Sequence, residues 1–289
     1  MIKKIYITII FPICIGLGNP VIAFENNFLK SVFETSHFEK DFSASVGLKM
    51  WVNEWEYPTV LTWSPTSTNN MVRSQHSDTV EFAFIPTLNL RYKNFFISGS
   101  YFPETDYSFE IQDVLGLSSK FYARRSEWDI NFGYYIFPSL IVTAGYKNIN
   151  RDFGINVNDN NGLIQSFPNV GKADTNGLTL GIAGVASIRG KLGLYGSFAY
   201  GWLDTEKNIQ FANILGQQHG NFDVEYYLGE LGLTYSSKLE NIHALEAASV
   251  YMGYRFQTLN EERGNLENER PLEITDTTSG FVFGVNLSF

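Results

Sequence analysis

The chain has 289 residues, 44% of them hydrophobic and 16% aromatic but only 18% charged, with one cysteine and a formal net charge of −9. So many aromatics exclude a disordered chain, a single cysteine excludes a disulfide-built scaffold, and a sequence pI near 5.0 argues against a nucleic-acid partner. The 24 Phe, 16 Tyr and 5 Trp sit in a sequence whose mean hydropathy is only −0.11, so the rings must alternate with polar residues.

Lys3 and Lys4 precede an apolar stretch from Ile5 to Leu17, which is followed by Gly18 to Pro20 and the small-residue ending Val21-Ile22-Ala23. Residues 1–23 are read as a secretory signal peptide cleaved after Ala23. The run of about 13 apolar residues, interrupted by Pro12, is short of the ~20 that a spanning helix needs. Cys14 lies inside it without the small residue expected before a lipoprotein cysteine, so thiol chemistry drops out of the exported chain. Residues 24–41 hold Phe28, Leu29, Val32 and Phe33 at roughly helical spacing. They are expected to form a periplasmic segment, either a short helix or a loose tether.

From Phe42 onward the dominant signal is alternation with a period of two, the signature of strands with one apolar face. Phe42, Ala44, Val46, Leu48, Met50 and Val52 oppose Ser43, Ser45, Gly47, Lys49 and Trp51. The stripe from Val80 to Tyr92 is followed, across Lys93-Asn94, by Phe95, Ile97, Gly99 and Tyr101. Further stripes run from Trp128 to Ile136, Leu140 to Tyr146, Leu178 to Ile188, Leu192 to Trp202 and Tyr227 to Tyr235. The next, Ala248 to Phe256, meets a conflict at Glu246, which a bulge or a later strand start would remove. The last stripe is the cleanest: Phe281, Phe283, Val285, Leu287 and Phe289 on one face, Val282, Gly284, Asn286 and Ser288 on the other. Long polar connectors are expected at about 55–78, 103–119, 150–175, 203–222 and 257–275, with short turns between them.

Strands of about 9 to 13 residues suit a tilted crossing of hydrocarbon, where a sheet must close because open edges would leave amides unpaired. The expected fold is therefore all-β: a closed antiparallel transmembrane β-barrel over residues 42–289, with ten strands and with eight or twelve as the alternative even counts. In its even strand number, short periplasmic turns and long outer connectors the sequence resembles bacterial outer-membrane β-barrels in general, across 42–289. The resemblance implies that Phe281, Phe283, Val285, Leu287 and Phe289 form the C-terminal signal read by the barrel assembly machinery. The competing fold, a soluble sandwich or secreted barrel, fits the aromatics less well. Tyr92, Phe95, Tyr235 and Phe289 fall at the short-turn ends, and Tyr101, Trp128, Tyr146, Trp202, Tyr254 and Phe256 towards the other, as two interfacial girdles.

The opposite parity carries Lys49, Glu81, Arg91, Arg125, Glu127, Asp129, Lys147, Glu230 and Arg255, expected as a mixed-sign charge network in the lumen. Ten strands enclose little more than the eight-stranded case that side chains fill, so a general diffusion pore is not expected. Trp51, Phe96, Tyr135, Tyr195, Tyr226 and Tyr251 take up further room. Arg124 shares the outward parity of Trp128 and is a candidate contact for lipopolysaccharide phosphate, with an inward register as the alternative. His76 with Asp78, and Asp204 with His219 or Asp223, are the nearest approach to the Asp and His rim of omptin-type proteases, yet they lack that spacing. The loop Asn156 to Gly162 lacks the ligands of a calcium loop. No catalytic residue, cofactor site or metal site is expected. The sequence thus points to a non-enzymatic outer-membrane barrel with an envelope-structural, adhesion or surface-recognition role, whose partners are outer-membrane lipid and lipopolysaccharide. A narrow channel for a small solute is the alternative, and an omptin-like surface hydrolase comes third.

Overall fold

A computed structural model describes residues 41–61, 71–111, 119–158, 164–211, 216–239, 245–262 and 273–289. The expected leader and nearly all of the 24–41 segment lie outside the described residues. Eleven strands appear: β1 (Phe42–Leu61), β2 (Met71–His76), β3 (Glu81–Tyr92), β4 (Phe95–Ile111), β5 (Ser119–Phe137), β6 (Leu140–Asn158), β7 (Ile164–Arg189), β8 (Leu192–Phe211), β9 (Gly216–Lys238), β10 (Ala247–Glu262) and β11 (Glu273–Ser288). β2 and β3 lie one after the other along β1, which pairs Phe42–Asn53 with β3 and Glu56–Leu61 with β2, so together they make a single crossing. The result is ten antiparallel crossings, each paired with its sequence neighbour.

Closure comes from the two ends of the chain, with β11 pairing β1 from Ser45↔Ser288 to Glu56↔Thr277. At the lower edge Phe289 donates its N–H to Ala44 O at 2.8 Å. Gly280 lies against β1 where a Cβ would come within 1.9 Å of Val52 O, so close approach of the two backbones at the closing seam requires glycine there. The lower turns are tight: Lys93 has a φ of 54° and Gly190 one of 57°, the left-handed conformation that short hairpin turns use. The ninth apolar stripe resolves by a late start, since β10 begins at Ala247 and leaves Glu246 outside the ladder.

The apolar stripes face outward. Phe82, Phe95, Phe132, Leu178, Leu231 and Phe281 are all exposed, as a belt in contact with hydrocarbon requires. Tyr92, Phe95, Tyr235 and Phe289 rim its lower edge, and Trp128, Tyr146, Trp202 and Tyr254 its upper part. No helix among the described residues is long and apolar enough to cross a membrane; the crossing elements are strands.

Strand length departs from the sequence expectation. The strands other than β2 and β3 run from 16 to 26 residues, not 9 to 13. Much of what reads as long polar connector, including 103–111, 150–158, 164–175, 203–211, 216–222 and 257–262, is strand. The reason is a reversal of polarity. Above the upper girdle the outward residues become Arg124, Lys172, Asp204 and Glu206, while the inward ones become Phe121, Phe153, Ala173 and Leu203. The barrel wall continues into water, and its core moves to the inside.

Candidate functional site

Three apolar clusters occupy the lumen. Trp51, Ala83, Ile85, Phe102 and Val282 form one, beside Tyr251. Higher up, Ile149, Leu203, Val224, Tyr226 and Leu259 form a second. The third gathers Trp55, Tyr107, Phe109, Phe121 and Phe153, with Tyr57 stacked on Phe121 at 6.0 Å between centroids. Edge-to-face contacts of Trp55 with Tyr107 at 5.0 Å and with Phe109 at 5.6 Å fix the ring positions.

Charged residues tie these clusters together. Glu127 accepts from Arg125 Nε at 2.7 Å and Gln257 Nε2 at 2.9 Å, and its other oxygen meets Lys147 Nζ at 2.6 Å. Asp276 accepts from Trp55 Nε1 at 2.5 Å, meets Arg125 NH1 at 3.5 Å and pairs with Arg151 NH1 at 2.7 Å. Arg151 continues to Thr175 at 2.7 Å, and Thr175 to Thr205 at 2.6 Å, so the network crosses the lumen from β11 to β8. Lys207 pairs with Glu261 above it. Burial alone would lower the Arg125 guanidinium, but Glu127 and Asp276 outweigh it and raise it, while burial pushes the Tyr107 phenol up. Such buried pairs add little net stability over apolar replacements; losing one partner is what costs, because the other is left charged and dry.

Nearer mid-height, Glu230 Oε2 holds two cations at once, Lys49 Nζ at 2.9 Å and Arg255 NH1 at 3.2 Å, while Tyr195 donates to Oε1 at 3.1 Å. Asp129 accepts from Ser100 at 2.6 Å and Asn131 at 2.8 Å. A cavity of about 260 Å³ lies here, with Lys49, Thr87, Ser100, Asp129, Lys147 and Arg255 among its walls. It lies between the packed clusters of the upper lumen and the lower turns.

Of the nine expected lumen charges, Lys49, Arg125, Glu127, Asp129, Lys147, Glu230 and Arg255 belong to these two connected groups. Arg91 sits apart near the lower rim, its Nε donating to Lys93 O at 2.6 Å and its guanidinium 4.8 Å from the Tyr135 ring. Glu81 stands at the top of β3, accepting from Thr79. The sequence reading missed Arg151, Lys207, Glu261 and Asp276, because it ended their strands too early; each keeps the inward parity of its own strand. Glu261, which falls in the polar connector expected at about 257–275, is buried inside.

Arg124 faces outward, with Glu104 at 3.3 Å and Asp106 at 3.8 Å. Its charge is therefore shared with two carboxylates, and Asp152 stands opposite it in the register. Phe281, Phe283 and Phe289 are exposed on the outer face of the closing strand, and Val285 shares that face. His76 and Asp78 are exposed at the β2–β3 junction, where Ser108 donates to Asp78 at 3.2 Å. Asp204 and Asp223 oppose each other on the outer wall, and His219 lies four positions further along, opposite Asn208. Among the described residues no group of three His, Cys, Asp or Glu is placed to hold a metal ion.

Neither a protein-family model nor a curated protein matches the sequence. Among solved structures the chain is similar to the outer-membrane protease OmpT from Escherichia coli, at 15% identity over 86% of this chain and 96% of that one, with a TM-score of 0.54. It also matches the translocator domain of autotransporter NalP from Neisseria meningitidis, at 11% identity over 91% of this chain and 94% of that one, with a TM-score of 0.42. At these identities the likeness is one of fold: the chain has the architecture of a bacterial outer-membrane β-barrel.

Proposed function

We propose that the protein is a non-enzymatic barrel of the outer membrane that displays its upper connectors for adhesion or surface recognition. The observation that carries this reading is the filled lumen. Three apolar clusters and a continuous ion-pair network occupy the region where a pore would need water, and they stiffen strands that project well past the upper girdle. Such a wall is a rigid post for the segments 62–70, 112–118, 159–163, 212–215 and 263–272, which join its strands at the upper end. In this reading Phe281 to Phe289 engages the assembly machinery, and outer-leaflet lipopolysaccharide surrounds the wall at Arg124.

The test is display in a non-adherent Gram-negative host, comparing the intact chain with one in which the five upper segments are replaced by short Gly-Ser turns. Both are expected to fold, as judged by heat-modifiable gel migration, and only the intact chain is expected to confer attachment to host cells or matrix. Equal attachment by both would overturn the reading. The mid-height cavity favours a second reading, a narrow channel for a small solute, and a solute-selective conductance would support it.

A further inference from the structure

Among the described residues the β3–β4 ladder stops well short of the strands' upper ends. β3 and β4 pair at only six positions, from Tyr92↔Phe95 to Thr87↔Ser100. Above that point β3 stays paired to β1 through Glu81, and β4 stays paired to β5 through Ile111, yet the two are not laddered to each other. Contact resumes at Asp78, whose N–H reaches Ser108 O at 2.7 Å. Prolines explain the break. Pro86 and Pro103 have no N–H to donate, and β4 slips register between Phe102 and Thr105.

The seam lies within the upper half of the apolar belt, since Phe82, Phe84 and Tyr101 beside it are exposed outward. Its inner side is closed by packing of Ala83, Ile85 and Phe102 against Trp51, not by a backbone ladder. Its lower end, Thr87 and Ser100, is also a wall of the 260 Å³ cavity. An unladdered stretch of the hydrocarbon-facing wall, held by side-chain packing alone, thus adjoins a polar chamber.

Charge decides what suits that chamber. Around the upper network Arg125, Lys147 and Arg151 are balanced by Glu127, Asp129 and Asp276. Lys49, Lys147, Arg255 and Asp129 line the cavity, with Glu230 shared by Lys49 and Arg255, so the connected network as a whole sets five cations (Lys49, Arg125, Lys147, Arg151, Arg255) against four carboxylates (Glu127, Asp129, Glu230, Asp276), an excess of one positive charge. Among the described residues, one buried donor of a cavity-wall side chain, Arg255 Nε, has no hydrogen-bond acceptor. An added anionic acceptor would satisfy both conditions.

We propose that the β3–β4 seam and the cavity form a lateral binding site for an acidic single-chain amphiphile, a long-chain carboxylate reached from the membrane. The carboxylate sits against Lys49 and Arg255, and the chain leaves between Pro86 and Tyr101 into lipid. The cavity is too small for a two-chain lipid and matches a compact head group.

The test uses the full protein in phosphatidylcholine nanodiscs titrated with palmitate, with empty nanodiscs as the partition baseline. Lys49→Gln is expected to weaken binding about tenfold, the loss of one charge-assisted hydrogen bond, whereas Lys191→Gln at a lower turn leaves it unchanged. The pair Pro86→Cys with Tyr101→Cys occupies the next register position of the seam; its oxidised form is expected to lose binding and its reduced form to recover it. A brominated fatty acid is expected to quench Trp fluorescence beyond the level set by the lipid-facing Trp128 and Trp202, an increment absent in Trp51→Phe, which reports the site even if a cysteine variant fails to fold. Binding at the empty-nanodisc level, or binding unchanged by Lys49→Gln or by oxidation of the pair, overturns the proposal.

Discussion

Below the upper girdle the wall is apolar outside and encloses polar groups beside the Trp51 cluster; above it the same strands are polar outside and enclose aromatic and aliphatic clusters laced with ion pairs. Leu178 and Leu180 of β7 face lipid and Thr179 the lumen, whereas a few residues earlier Lys172 and Asp174 face outward and Ala173 is fully buried. The pleat does not change, only the solvent does. One barrel is thus a membrane protein in its lower half and a soluble β-barrel with a packed core in its upper half. The charge network sits at the change-over, where polar lumen gives way to aromatic core.

The two halves should fail in different ways. The largest effect is expected from Asp276→Ala in the upper half, which leaves Arg151 as a buried charge without its carboxylate, leaves Arg125 with Glu127 alone and removes the Trp55 acceptor, at about 3 to 5 kcal/mol. Urea unfolding followed by heat-modifiable migration reads the loss; a midpoint equal to the parent's would contradict the network. Next come matched outward substitutions. Leu180→Arg in the belt is expected to cost about 2 to 4 kcal/mol, while Glu206→Arg on the outer face above it stays within about 0.5 kcal/mol. Equal effects at the two sites would abolish the contrast. At the closing seam, which both halves share, Gly280→Ala is expected to cost about 1 to 3 kcal/mol through collision with Val52 O, read as slower assembly and lower unfolding resistance. The smallest effect belongs to a lower turn. Lys93→Asn, better suited to its φ of 54°, should stabilise by less than about 1 kcal/mol, and a loss of stability would argue against the turn geometry.

The lower half is legible in the sequence because only one arrangement of outward and inward residues satisfies lipid. Phe281 to Phe289 shows its parity and its place as the last crossing at once, while its register against β1 comes from the structure. The upper half is harder to read. When Phe121, Phe153 and Leu203 turn inward beside charged outward neighbours, the apolar stripe appears to stop, and a strand looks like a loop. The cue that survives is unbroken parity: Arg151 follows Lys147 and Ile149 on the same face, and Asp276 precedes Thr278, Gly280 and Val282. The break between β3 and β4 was less legible still, since Pro86 and Pro103 lie on different strands and only the pairing brings them to one seam.

The packed clusters and ion pairs are expected to leave the lumen without a continuous water path from the girdle upward. Single-channel recording in planar bilayers tests it most directly. The filled lumen predicts a silent bilayer, or at most rare, small openings, with Asp276→Ala raising their frequency as the network loosens. Stable steps comparable to those of a general diffusion porin in the unmodified protein would contradict it.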